Sequence, residues 1–234
     1  DFGRKTFMGK TGNWNGDDII DMILEKPEAA QFIVRKIYRY FVHTQVDEDR
    51  VRVLAQEFYD SNYDIGQLMA RILRSDWFYD PKLIGGKVKS PIELLIGYIR
   101  QFNLSDPQPW SLVGLQRALG QILLRPPNVA GWPGGLSWID NSTLLLRLQL
   151  GSAILRSTVP DFAVKGEAEG FRSQRLRGLS AQADLEPLRQ LGPDVDALAR
   201  YLLPLPAQLN TRTRSLDFTT GLDYLLSLPE YQFC

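Results

Sequence analysis

Two short stretches concentrate the residue types that could do chemistry. The first, GNWNGDD over 12–18, sets Asn13, Asn15, Asp17 and Asp18 around Trp14, with Asp21 close behind. The second, NVAGWPGGLSWID over 128–140, places Asn128 and Asp140 at its ends and Trp132 and Trp138 among glycines. A sugar ring stacks on a flat indole face and takes hydrogen bonds at its edges from amides and carboxylates. Asn13, Trp14, Asn15, Asp17, Asn128, Trp132, Trp138 and Asp140 are therefore the candidate ligand-binding residues. The same residues admit a structural reading. Asn or Asp just before an apolar run caps a helix, and an indole that can bury about 150–250 Å² can plug its loop onto a core.

Other chemistries fit less well. The oxygen-rich stretch around Asn13 invites a hard cation. Counted from Asn13, however, the sixth and twelfth places of a calcium loop hold Asp18 and Leu24 instead of glycine and glutamate. His43 is the single histidine and Cys234 the single cysteine, so a His/Cys zinc site has too few ligands here. No Gly-x-Ser-x-Gly elbow accompanies His43, and no Gly-Lys-Ser/Thr closes the glycine-rich loop as a phosphate cradle would. Asp17, Glu93 or Asp140 could supply a glycosidase carboxylate, but such a pair must face across a cleft at a set separation. No cofactor motif is present.

The elements that must position these residues read as helical. Asp17 or Asp18 would cap a helix with Ile19, Ile20, Ile23 and Leu24 on its apolar face, after a loop over residues 1–16. Pro27 opens a second helix, Asp47 a third and Asp64 a fourth. Ser90-Pro91-Ile92-Glu93 carries a complete capping-box signal. A helix over Leu112–Leu123 should run to the break at Pro126-Pro127. Asn141 or Ser142 would cap the next one. Helical signals return at Leu185–Leu191, Val195–Leu203 and Leu216–Leu228, and a short extended piece is expected near Lys87–Lys89. The pattern fades over 160–180, which reads as a flexible surface excursion. DIGQLMARILRSDWF (64–78) and TTGLDYLLSLPEYQF (219–233) share an apolar helix, a break, an acid and two aromatics. DDIIDMILEKPEAAQF (17–32) is a looser copy. The fold class is all-α: an irregular multi-helix bundle with long Gly/Trp-rich loops. It forms a single domain over 1–234, or the C-terminal half of a larger one.

Composition bounds the partners. Among 234 residues, 27 basic and 27 acidic side chains cancel, which gives no electrostatic footprint for nucleic acid. No apolar run approaches the roughly 18 residues of a membrane helix.

FMGKTGNWNGDDII (7–20), KSPIELLIGYIR (89–100), LGQILLRPPNVAGWPGGLSWIDNSTLLLR (119–147) and SLPEYQF (227–233) resemble the bacterial family known as domain of unknown function 1800. The distinctive positions are Lys10, Gly12, Asn13, Trp14, Gly16, Pro126, Pro127, Gly131, Trp132, Gly134, Gly135 and Trp138. The resemblance implies an exported protein, periplasmic, secreted or held at the cell envelope. It also implies a longer chain whose N-terminal half is missing here and would be a partner of this half. It implies no reaction. The expectation is a non-enzymatic scaffold or interaction module with an envelope protein or polysaccharide partner. The alternatives are a carbohydrate-binding or carbohydrate-active protein, and a metal-dependent hydrolase with oxygen ligands.

Overall fold

The computed structural model describes residues 2–105, 109–156, 158, 182–192 and 194–234. The stretch over 160–180 lies outside the described residues. The fold is predominantly α-helical, with eleven α-helices and one two-stranded sheet among the described residues. By its internal contacts the chain divides into two compact units, Asp1–Gly86 and Lys87–Cys234.

The first unit begins with a hairpin where the sequence suggested only a loop. Strand β1 (Lys5–Phe7) pairs antiparallel with β2 (Lys10–Gly12) in the register Lys5↔Gly12. Met8 and Gly9 both take left-handed backbone angles, which closes a two-residue turn whose twist matches the strands. Short strands without alternation leave little trace in a sequence, and Met8 is an unusual residue for such a turn. Four helices follow: α1 (Gly16–Leu24), α2 (Pro27–Phe41), α3 (Glu48–Asp60) and α4 (Ile65–Leu73). Helix α2 packs on α3, and α3 on α4. Ala30, Val34, Tyr38, Val51, Leu54, Phe58, Leu68 and Ile72 form the core between them. Asp47 and Asp64 cap α3 and α4 as the sequence indicated. Helix α1 differs from the reading: Asn15 caps it, Met22 is its buried residue, and Ile20 and Ile23 stay exposed.

His43 is a structural residue of this unit. Its Nδ1 accepts from the Gln45 backbone N–H at 3.0 Å. The ring lies so close to Gly86 that a β-carbon there would sit 2.0 Å from its Cδ2.

The second unit comprises α5 (Pro91–Gln101), α6 (Pro109–Ala118), α7 (Asn141–Leu155), α8 (Glu186–Arg189), α9 (Val195–Leu202), α10 (Thr211–Arg214) and α11 (Phe218–Leu226). Helix α11 packs on both α7 and α9. Its core includes Leu94, Tyr98, Phe102, Leu119, Leu150, Leu198, Leu222 and Leu225. The Ser90–Glu93 capping box forms as read. The extended piece is also present: Val88 bridges to Phe233, with Lys89 N–H donating to the Gln232 carbonyl at 2.8 Å. Helix α6 ends at Ala118, well short of Pro126, because Gly120 turns left-handed and breaks the ladder first. Asp140, one residue before the expected cap, caps α7.

The internal similarity has a structural counterpart. Helix α4 is followed by a 3₁₀ turn over Asp76–Tyr79, and α11 by one over Pro229–Gln232. In each case an aromatic of that turn stacks on a buried tyrosine: Trp77 on Tyr38 at 6.2 Å and Tyr231 on Tyr98 at 5.4 Å between ring centroids. The looser copy lacks this turn, because Pro27 there starts helix α2.

Candidate functional site

In the first unit the candidate residues are gathered by the hairpin and the start of α1. The Asn15 side-chain oxygen accepts from Asp17 N–H at 2.7 Å and Asp18 N–H at 3.0 Å. Asp18 returns the bond by accepting from the Asn15 N–H at 2.8 Å. These oxygens satisfy the otherwise unpaired donors of a helix start. Asp17 is exposed in that first turn. The Asn13 amide, with its nitrogen turned inward, donates to the Phe2 carbonyl at 2.7 Å and the Gly3 carbonyl at 3.1 Å. Trp14 is half-buried; its indole N–H donates to the Lys10 carbonyl at 3.2 Å, and its own carbonyl accepts from Lys5 Nζ at 2.9 Å. The ring lies against Gly12, where a β-carbon would come within 2.6 Å of it. That close approach is why glycine occupies the strand end.

In the second unit the remaining candidates belong to the connection from α6 to α7. Asn128 folds its side chain back to accept from the Ala130 N–H at 2.9 Å, and its carbonyl accepts from Gly131 N–H at 3.1 Å. Asp140 accepts from Ser142 and Thr143 N–H at 2.8 and 2.9 Å. Trp138 is buried, at the end of a 3₁₀ turn over Gly135–Trp138, and Trp132 is half-buried. The structure thus divides the eight candidates between two units, four in each, and most of their polar atoms serve local backbone.

What the sequence reading missed is the aliphatic content of the same connection. Leu124 is 87% exposed, Leu136 76% exposed and Val129 fully exposed. The backbone carrying them is pinned. Gln116 Oε1 accepts from Leu123 N–H at 2.9 Å, Gln121 Oε1 accepts from Ile92 N–H on α5 at 3.1 Å, and Arg125 N–H donates to the Ile122 carbonyl at 3.0 Å. Leu124 itself takes a left-handed φ of +63°, which costs a branched L-residue about 1–2 kcal/mol. Pro126 and Pro127 stiffen the next step. The first unit has an apolar surface as well, a groove of about 590 Å³ lined by Met8, Ile23, Leu24, Ala29, Phe32 and Ile33.

A second feature absent from the reading lies deeper. Arg147 on α7 is completely buried. Its Nη2 donates to the Lys89 carbonyl at 3.0 Å and its Nη1 to Gln232 Oε1 at 3.4 Å, while Nε has no acceptor. The Gln232 amide nitrogen and the Tyr98 hydroxyl are likewise buried without partners. Lys89 Nζ lies 3.9 Å from the Tyr231 ring centre and donates to the Tyr231 carbonyl at 2.7 Å. Burial pushes the Arg147 guanidinium down to about 10 and the Lys89 ammonium down to about 8. Burial also holds the Tyr98 phenol well above 10, with Arg147 opposing it.

Among the described residues, no group of three or more His, Cys, Asp or Glu side chains stands close enough to hold a metal ion. No described helix is long and apolar enough to cross a membrane.

The family model described as "Protein of unknown function (DUF1800)" matches residues 1–233. The chain belongs to the DUF1800 family. No curated protein and no solved structure matches it. The most distinctive motif of this DUF1800 chain, from Pro126 to Trp138, carries two outward-facing aliphatic side chains, Val129 and Leu136. The run Leu-Leu-Arg-Pro-Pro-Asn-Val could have signalled this. Leu123 and Leu124 lie between the glycine that ends α6 and the proline pair, where no helical face continues to carry them inward.

Proposed function

We propose that this DUF1800 chain is a non-enzymatic interaction module that grips a protein partner of the cell envelope through the 120–136 connection. One observation carries the reading: Leu124, Val129 and Leu136 project from a backbone fixed by the Gln116, Gln121 and Asn128 side chains. Loops hold function when a rigid scaffold presents them, and here conformational strain at Leu124 gains no burial within the chain itself. The chemistry favours a protein over a polysaccharide. Protruding aliphatic groups fit the apolar pockets of another protein, whereas a sugar needs flat rings with polar edges. The envelope setting, outside the cytoplasm, rests on the family resemblance.

The test places a photo-crosslinking residue at position 129 in cells that make the protein, with position 53, on exposed Val53 of α3, as the control. The expected result is one discrete adduct from 129, found in the envelope fraction and absent from 53. The purified partner should then bind with a Kd raised about tenfold or more by Leu124→Asp or Val129→Asp and unchanged by Val53→Asp. Equal adducts from both positions, or a Kd blind to the loop variants, would overturn the proposal. An adduct confined to the cytosolic fraction would remove the envelope setting.

The carbohydrate alternative draws support from Trp14 and Trp132, each of which is only half-buried. Oligosaccharide titration read by tryptophan fluorescence tests it. Saturable quenching lost in Trp132→Leu would favour it over the protein partner.

A further inference from the structure

Each unit leaves an apolar feature in water. On the second unit Leu124, Val129 and Leu136 stand out from the 120–136 connection. On the first unit the tip of the hairpin, the end of α1 and the start of α2 frame the apolar groove of about 590 Å³. Met8, Ile23 and Phe32, which line it, are 54%, 39% and 58% exposed. The groove is held open by its frame. Met8 sits in the left-handed turn of the hairpin, Lys10 Nζ ties β2 to Glu25 at the end of α1 at 2.6 Å, and the Tyr63 hydroxyl donates to the Leu24 carbonyl at 2.6 Å. Clustered apolar surface left open on a fixed frame marks an interaction site.

The two features match in kind, one protruding and one hollow. A groove of this size takes a ligand of drug-like bulk, and two or three aliphatic side chains are no larger. The charges at the groove are mostly engaged. Lys10 pairs with Glu25, Lys26 lies in the field of the same acid, and Lys36 Nζ stands 4.5 Å from the Phe32 ring centre. Glu28, four residues before Phe32 and so on the same stripe of α2, is exposed and enters no ion pair among the described residues. Arg125, directly after Leu124, is likewise exposed and unpaired among them. The 27 basic and 27 acidic residues cancel, so two copies of the chain approach without net repulsion. A second copy therefore brings both the aliphatic side chains that the groove takes and the cation that Glu28 lacks.

We propose that the groove framed by the hairpin, α1 and α2 receives the 120–136 connection of a second copy of this chain, with Leu124 and Val129 in the groove and Arg125 against Glu28. The inference rests on the reading of that connection as a protein-binding element, and it names the partner. Such a contact joins unlike surfaces. A copy with a broken connection and a copy with a broken groove therefore keep one intact contact between them.

The test is sedimentation of the purified 234-residue chain over a concentration series. The expected result is reversible association of the 26.6 kDa chain, with a Kd raised about tenfold or more by Val129→Asp or by Phe32→Asp. Both side chains are more than half exposed, so the fold does not depend on burying them. An equal mixture of the two variants should associate again, as a one-to-one pair. Arg125→Glu should weaken association, and adding Glu28→Arg should restore it. A photo-crosslinking residue at 129 in the pure protein should give an adduct of twice the chain mass, joined within residues 8–33. A monomer at every concentration, or a mixture no tighter than either variant alone, would overturn the proposal. Association whose crosslinks avoid the groove would overturn it equally. In each of these cases a crosslink from 129 to a different envelope protein in cells would leave the reading of the connection standing, whereas the absence of both adducts would remove the two together.

Discussion

The two aromatic nodes, Tyr38–Trp77 in the first unit and Tyr98–Tyr231 in the second, start from similar sequence and end in different electrostatics. Each is a helix followed by a 3₁₀ turn whose ring stacks on a buried tyrosine, with a cation against the second ring. In the first node the cation is Arg50, partly exposed and paired with Asp47. In the second, Lys89 is half-buried, and the fully buried Arg147 stands behind it with carbonyl and amide acceptors only. The lesson is that one packing solution serves a surface, where water and an acid absorb the charge, and an interior, where burial pushes the cations toward their neutral forms.

The largest expected effect separates the two arginines. Arg147→Ala should destabilise the second unit by about 3–5 kcal/mol, since it opens a cavity and strips donors from two buried acceptors. Arg50→Ala should cost only about 0.5–1 kcal/mol, the scale of an exposed ion pair and cation–π contact. Equal losses by urea denaturation would erase the contrast.

Next comes pH. Lys89 gives up its proton near 8 in the folded chain and near 10.5 when unfolded, so between these values the unfolded state holds more protons. Its share of stability therefore rises with pH across that window, by about 1–3 kcal/mol. Cys234 works the other way, because burial raises its pKa and its share is lost as pH climbs past 9.0. The scan is best made in Cys234→Ser between pH 8 and 10, below the tyrosines. Lys89→Met should flatten the slope, and a slope that persists in that variant would assign it to another group.

A smaller effect distinguishes the two tyrosines of the second node. Tyr231 donates to Gln101 Oε1, so Tyr231→Phe should cost about 1 kcal/mol. The Tyr98 hydroxyl has no partner, so Tyr98→Phe should cost nothing or add stability.

The smallest expected difference lies between the caps. Asn15→Ala and Asp140→Ala should each lose about 1 kcal/mol, since both side chains accept two backbone donors at a helix start. A much larger loss for either would mean that the residue does more than cap.

Helix starts were the most legible part of the sequence. Ser90-Pro91-x-Glu93, Asp47 and Asp64 all cap where their spacing indicated, because a cap is satisfied within four residues and needs no distant partner. The hairpin over 5–12 was not legible: three-residue strands carry no usable period, and the turn uses Met8. The candidate site was read in part. Trp132 and Trp138 stood out, but the sequence could not say which indole would be buried, and it gave no weight to Leu124, Val129 and Leu136. Nothing in the local sequence marked Arg147 for burial.

By itself the sequence determined the all-α class, most helix starts and the kinship of the two aromatic nodes. These follow from dihedral limits and hydrogen bonds closed within a few residues. Tertiary structure alone decided burial where periodicity gives no face. It turned the leucines of the 120–136 connection outward, buried Arg147 beneath the C-terminal turn, and placed Lys89 and Gln232 beside it. Those outcomes depend on partners 58 and 85 residues away in the chain. Burial and net local charge are sums over such distant neighbours, and no local window of sequence contains them.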